Sequence, residues 1–133
     1  IVIHKGKVFH RHFKNALPNY GVFDEKRIFT AGNSSSFINI KNNKIGLFIC
    51  EEIWDSETYQ KIKGENCDLL VTINASPYEY QKINKREKLA LELAKKMQAP
   101  VIYVNQVGGQ DEIVFDGSSF VTDEKKVLRR LPA

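Results

Sequence analysis

Gly46-Leu47-Phe48-Ile49-Cys50-Glu51-Glu52-Ile53-Trp54 decides how this chain is read. The apolar run from Ile45 to Ile49 is short and carries Phe and Ile, the pattern of a strand buried on both faces. It stops at a cysteine, followed by two acids and an indole. In open α/β sheets, ligands gather just outside the carboxyl ends of the strands, where Cys50 falls. A thiol close to the backbone N–H groups of the following turn is drawn toward the thiolate, below the ~8.5 of a free cysteine. The competing reading is a small hydrophobe that closes the strand.

Downstream, Asp55 or Ser56 caps a short helix that runs to Lys63 and is stopped by Gly64. Leu69 to Ile73 reads as a second buried strand, ending in Asn74-Ala75-Ser76-Pro77-Tyr78. Lys82 to Gln98 is a helix with an apolar stripe of Leu89, Leu93 and Met97, joined by Ala90 and Ala94, and Pro100 ends it. Val101 to Val104 is a third buried strand, followed by Asn105 and Gln106. Strand, helix, strand, helix, strand from 45 to 104 is an α/β pattern. If the three strands lie parallel and side by side, Cys50, Asn74 with Ser76, and Asn105 with Gln106 line one pocket. That convergence favours the reactive-thiol reading of Cys50.

Upstream, residues 1–13 read as a hairpin turning at Lys5-Gly6-Lys7, with Val8, His10, His12 and Lys14 on one face. His10 and His12 are read as two surface histidines, because no third metal ligand is in reach by sequence. Residues 14–27 form a loop that crowds aromatic, acidic and basic groups around Pro18, Asn19 and Gly21. Gly32 to Ser36 is a turn, Phe37 to Ile40 a strand, and Asn42-Asn43 a hairpin turn. Ile113 to Phe115, Ser119 to Thr122 and Val127-Leu128 complete the strands.

The 133 residues fit one domain, with 42% hydrophobic and 27% charged residues. The net charge of +4 is spread along helices and turns without the aromatic-interleaved basic stripe that single-stranded nucleic acid requires. No apolar run is long enough to cross a bilayer, and no signal-peptide pattern opens the chain. Two cysteines, Cys50 and Cys67, are too few for a disulfide framework and lack zinc spacing, and Cys67 reads as packing. An intracellular, cytoplasmic setting is the expectation. A first residue of Ile, opening directly on strand-like sequence, reads as a piece of a longer polypeptide.

A thiolate nucleophile attacking a carbonyl-type carbon needs a base for its proton and donors for the oxyanion. Histidine is the usual base, but His4, His10 and His12 all sit in the first hairpin. Lysine as oxyanion stabiliser with a carboxylate as base is the alternative solution, and Lys14 is the candidate lysine.

Lys14-x-x-Leu17-Pro18-x-Tyr20, Cys50-Glu51-x-Ile53-Trp54 and Asn74-Ala75-Ser76-Pro77-Tyr78 together resemble the nitrilase, or carbon–nitrogen hydrolase, superfamily. Leu17 to Arg27, Tyr103 to Glu112 and Phe115 to Phe120 are similar to the glutaminase domains of glutamine-dependent NAD synthetases within it. The resemblance covers nearly the whole chain. It implies an α/β fold, a nitrilase-like α-β-β-α sandwich incomplete at the N-terminus, and a Glu-Lys-Cys catalytic set. Carried over, Cys50 attacks the side-chain amide of glutamine and Lys14 steadies the tetrahedral intermediate. Tyr20, Glu51 and Ser76 contact the substrate, and Glu25 is a supporting acid. No metal or cofactor belongs to this domain. The ammonia passes to a separate synthetase domain, which uses ATP and Mg to amidate deamido-NAD.

The sequence departs from the family pattern in two ways. The family's general-base Glu precedes the catalytic Lys, whereas Glu25, Glu51 and Glu52 all follow Lys14. No phosphate-binding loop occurs either. Residues 1–133 are thus expected to be the central and C-terminal part of such a domain, weakly active or inactive alone, in a family whose members assemble as oligomers. Another amidase branch (an ω-amidase or N-carbamoyl hydrolase) and a non-catalytic remnant are the competing readings.

Overall fold

In a computed structural model, which describes residues 1–34 and 36–133, the chain opens on a hairpin of β1 (Val2–His4) and β2 (Lys7–His10). Lys5 and Gly6 both have positive φ, 49° and 73°, so the connection has the two-residue form whose twist matches paired strands. The hairpin is shorter than the sequence suggests, because β2 stops at His10. The in–out alternation nonetheless continues: His10, His12 and Lys14 are half-buried, while Arg11 and Phe13 are exposed. The expected turn at Gly32–Ser36 includes Ser35, which lies outside the described residues.

β3 (Phe37–Ile40) and β4 (Asn43–Ile49) pair antiparallel. β4 leads through a 3₁₀ turn (Cys50–Ile53) to α1 (Ser56–Ile62), then to β5 (Leu69–Asn74), α2 (Lys82–Met97) and β6 (Val101–Asn105). β4, β5 and β6 are adjacent and parallel, as the α/β pattern requires, with Ile45 opposite Leu69 and Leu70 opposite Val101. β7 (Val107–Gln110) and β8 (Ile113–Asp116) form a separate hairpin. β9 (Phe120–Thr122) and β10 (Val127–Arg130) extend the main sheet antiparallel, giving the order β10-β9-β6-β5-β4-β3.

The helices pack on one face of that sheet. Phe48, Leu70, Val101, Tyr103 and Phe120 meet Ala90, Leu93, Ala94 and Met97 there, with Ile53 and Ile62. Cys67 packs against the edge of this cluster. Gly46 allows the close fit, since a Cβ on it would lie 2.7 Å from Leu70 Cδ2. The opposite face corrects the expectation of strands buried on both sides. Ile73 is 52% and Val104 41% exposed, because among the described residues no second layer covers them.

α1 begins as expected, with Asp55 accepting from Thr58 N at 2.8 Å. α2 ends earlier than Pro100 dictates: Gln98 takes the left-handed conformation and its N–H returns to Ala94 O. The stripe on α2 is also rotated from the expected one. Arg86, Ala90, Leu93, Ala94 and Met97 are buried, while Leu89 is only partly so.

Candidate active site

Cys50 stands at the carboxyl end of β4 with φ +46°, left-handed backbone that costs an L-residue about 1–2 kcal/mol. Such strain clusters at functional sites because the surrounding structure must impose it. Cys50 lines a cavity of about 320 Å³ together with Lys14, Phe23, Glu25, Ile49, Ile73, Asn74 and Ala75. Ile49 and Ile73 belong to the uncovered face of the sheet, so the cavity opens on that side.

Lys14 arrives from the first hairpin on the inward phase of its alternation. Its carbonyl accepts from Gly32 N at 2.8 Å. Gly32 has to be glycine, since a Cβ there would collide with the Phe13 carbonyl oxygen. Lys14 Nζ donates to both oxygens of Glu25 at 2.7 Å, with both side chains mostly shielded from solvent. A lysine so held presents a fixed positive charge to the cavity.

Burial pushes the Cys50 thiol above its ordinary pKa. The Lys14 ammonium and the Ala75 backbone N–H pull it back down, and the carboxylates of Glu51 and Glu25 raise it further. The outcome reverses the expectation of a lowered pKa: desolvation outweighs the single donor. That donor also comes from the end of β5 rather than from the turn after Cys50. The resting sulfur is a thiol that needs a base to become a nucleophile.

The substrate-contact candidates are distributed unevenly. Tyr20 Oη donates to Glu51 Oε2 at 2.8 Å, and the two line a neighbouring polar cleft with Lys26, Trp54 and Ser56 rather than the Cys50 cavity. Partial burial, reinforced by the Glu51 carboxylate, pushes the Tyr20 hydroxyl up to about 12. Ser76 is buried, its Oγ accepts from Arg86 Nε at 3.1 Å, and it does not line the cavity. Asn74 does line it. Asn105 turns inward instead, accepting from Ser76 N at 2.9 Å and donating to Gly117 O at 3.0 Å, while Gln106 is exposed.

His10 and His12 are not surface residues. His10 Nε2 lies 2.5 Å from Ser36 Oγ, and His12 Nε2 lies 2.8 Å from Glu52 Oε2. The pull is a buried carboxylate: Glu52 is 1% exposed and also accepts from the backbone N–H groups of Asn15 and Ile49. Sequence reasoning missed this residue, and it missed Arg86. The guanidinium of Arg86, fully buried, donates to Asp116 Oδ1 at 2.7 Å and to the carbonyls of Ser76 and Pro77 at 2.9 Å. A signal for Arg86 existed, since 86, 90, 93 and 97 continue one helical stripe. For Glu52 none did. Among the described residues no group of three His, Cys, Asp or Glu side chains offers a metal-ligand set. Among the described residues no helix is long and apolar enough to cross a membrane.

The family model for carbon-nitrogen hydrolases matches residues 1–128. The chain belongs to that family. This carbon-nitrogen hydrolase chain is 42% identical over 120 residues to the glutamine-dependent NAD(+) synthetase of Acinetobacter baylyi, covering 90% of the chain and 22% of the relative. It is 40% identical over 144 residues to that of Synechocystis, covering 99% of the chain and 26% of the relative. The hydrolase chain therefore spans about a quarter of the length of these relatives. The solved glutamine-dependent NAD+ synthetase of Acinetobacter baumannii, in complex with ADP, superposes with a TM-score of 0.92 at 40% identity. That superposition covers 98% of this chain and 25% of the other. A carbon-nitrogen hydrolase from Helicobacter pylori G27 shares the fold, with a TM-score of 0.81 at 24% identity over 90% of this chain and 47% of its own. The fold is thus that of the nitrilase superfamily.

Proposed function

We propose that residues 1–133 are the thiol-bearing part of a glutaminase domain that supplies ammonia to an ATP- and Mg-dependent NAD synthetase. The observation that carries this reading is the meeting of Cys50 and Lys14 in one cavity, the sulfur on strained backbone and the ammonium anchored by Glu25. The identity with glutamine-dependent NAD synthetases supports glutamine as the amide and deamido-NAD as the acceptor of the ammonia.

In this mechanism a base removes the Cys50 proton and Sγ bonds to the side-chain amide carbon of glutamine. Lys14 and backbone N–H groups stabilise the oxyanion. The C–N bond breaks, the base returns the proton to nitrogen, and ammonia leaves a thioester on Cys50. Water then hydrolyses the thioester to glutamate and restores the thiol. We assign Glu51, paired with Tyr20 in the adjoining cleft, to the substrate ammonium.

Neither Glu25 nor Glu51 is in position to act as the base, since Lys14 takes both oxygens of the first and the second lines the adjoining cleft rather than the Cys50 cavity. The base is assigned to a glutamate outside residues 1–133. The uncovered sheet face and the 47% coverage of the H. pylori hydrolase support the view that these residues form one half of the sandwich. The test is ammonia release from glutamine. The full-length polypeptide is expected to be active, its Cys50→Ala variant inactive, and residues 1–133 alone close to inactive. Full activity of Cys50→Ala refutes the reading, while a preference for carbamoyl or aliphatic amides over glutamine reassigns the chain to another amidase branch.

A further inference from the structure

Glu52 lies within two residues of the nucleophile yet points away from the cavity, into the protein. Its carboxylate is enclosed and receives four N–H donors. Oε1 accepts from Asn15 N at 2.6 Å and Asn15 Nδ2 at 2.8 Å. Oε2 accepts from Ile49 N at 2.6 Å and meets His12 Nε2 at 2.8 Å. Oε1 thus serves the Lys14 segment alone, while Oε2 joins that segment, through His12, to the strand that precedes Cys50. Asn15 directly follows Lys14, and Ile49 directly precedes Cys50. The segment that carries the lysine, after the first hairpin, and the turn that carries the thiol, at the end of β4, are separated by 35 intervening residues (15–49). The planar carboxylate bridges them with a rigid spacing. A buried carboxylate is costly unless all its acceptor positions are used, and here they are.

We propose that Glu52 is a positioning residue that fixes the ammonium of Lys14 against the thiol of Cys50. The proposal rests on the reading of those two residues as a catalytic pair, and adds the group that holds them in register. Its hydrogen bonds also account for the strained residue beside it. With Ile49 N tied to a side chain three residues on, the chain is turned at Cys50 into the left-handed region. Glutamine at 52 offers one oxygen and one NH2 group. The NH2 cannot accept from the backbone N–H that faces it, so the bridge loses its hold on either Asn15 N or Ile49 N.

The test is a double-mutant cycle on thiol reactivity in the full-length polypeptide, with iodoacetamide as the probe and circular dichroism as the check of folding. In the parent, Lys14→Met is expected to slow Cys50 alkylation at neutral pH about tenfold, equivalent to about one unit of thiol acidity. In the Glu52→Gln background the same substitution is expected to matter less than about twofold, and the pH midpoint of alkylation, already raised by E52Q, moves no further. A purely architectural Glu52 lowers the melting temperature and leaves the tenfold coupling intact, which overturns the proposal. Should E52Q fail to fold, Asn15→Ala keeps the backbone bond to Glu52, removes the Nδ2 bonds to Glu52 and to the Ser34 carbonyl, and is expected to reduce the coupling part way; undiminished coupling there is equally fatal. Failure of the functional reading looks different: the Lys14 effect on alkylation is absent from the parent, or glutamine yields no ammonia.

Discussion

Replacing Arg86 by methionine removes a charge from the centre of the fold while keeping roughly the same volume, so the loss is electrostatic rather than a cavity. The guanidinium is fully buried and serves Asp116, the Ser76 hydroxyl and the carbonyls of Ser76 and Pro77. Breaking a buried pair by deleting one partner costs about 3–5 kcal/mol. The Asp116 side chain keeps 16% exposure and recovers some hydration, which places R86M at about 3 kcal/mol, the lower end of that range. For a domain of this size that is a drop of roughly 10 °C in Tm. Adding Asp116→Asn removes the orphaned carboxylate and is expected to return about 1 kcal/mol or more. Equilibrium unfolding in urea, followed by circular dichroism, measures both. A loss below about 1 kcal/mol for R86M, or no recovery in R86M/D116N, refutes the buried-pair argument. The consequence reaches the site, because the Arg86 contacts hold Ser76 next to Ala75, whose N–H faces the Cys50 sulfur. Cys50 alkylation is expected to slow in R86M as that donor drifts.

Other expectations follow from neighbouring features. Iodoacetamide labels Cys50 with a rate that rises with pH into the alkaline range, because burial raises its thiol, and a plateau already reached at pH 6 contradicts that assignment. The buried Glu52 carboxylate is held below the usual range by His12, Asn15 and Ile49, which outweigh its desolvation. Its contribution to stability is therefore complete above an ordinary carboxylate pKa of about 4.3 and is lost as pH falls through the lower folded value. Acid unfolding of the parent, compared with E52Q, checks this as a smaller pH dependence in the variant. Asp55→Ala removes the α1 cap made to Thr58 and is expected to cost about 1 kcal/mol in urea unfolding. Gly46→Ala forces a methyl against Leu70 and Phe37 and is expected to destabilise by about 1–3 kcal/mol in the same assay.

The parallel core was readable because three apolar runs of strand length alternate with helical segments, and their polar ends declare which side the ligands occupy. Cys50 and Lys14 were readable as residue types, but their meeting in one cavity depends on a hairpin folding back across the sheet, which no local pattern encodes. The rest was hidden for physical reasons. Glu51 and Glu52 are the same residue type side by side, yet one accepts from Tyr20 at the surface and the other is enclosed; only the backbone reversal at Cys50 separates them. His10 and His12 pass for solvent-facing residues until Ser36 and Glu52, distant in sequence, close over them. Arg86 has no local sign of its partners, because its acceptors are carbonyls at 76 and 77 and an acid at 116.

The left-handed backbone at Cys50 has a bearing on how such a position changes over generations. Selection for folding alone favours glycine there, the one residue that adopts φ +46° without penalty. Relatives that have lost the chemistry are expected to drift to glycine or asparagine at this site, so the identity of residue 50 separates working descendants from retired ones.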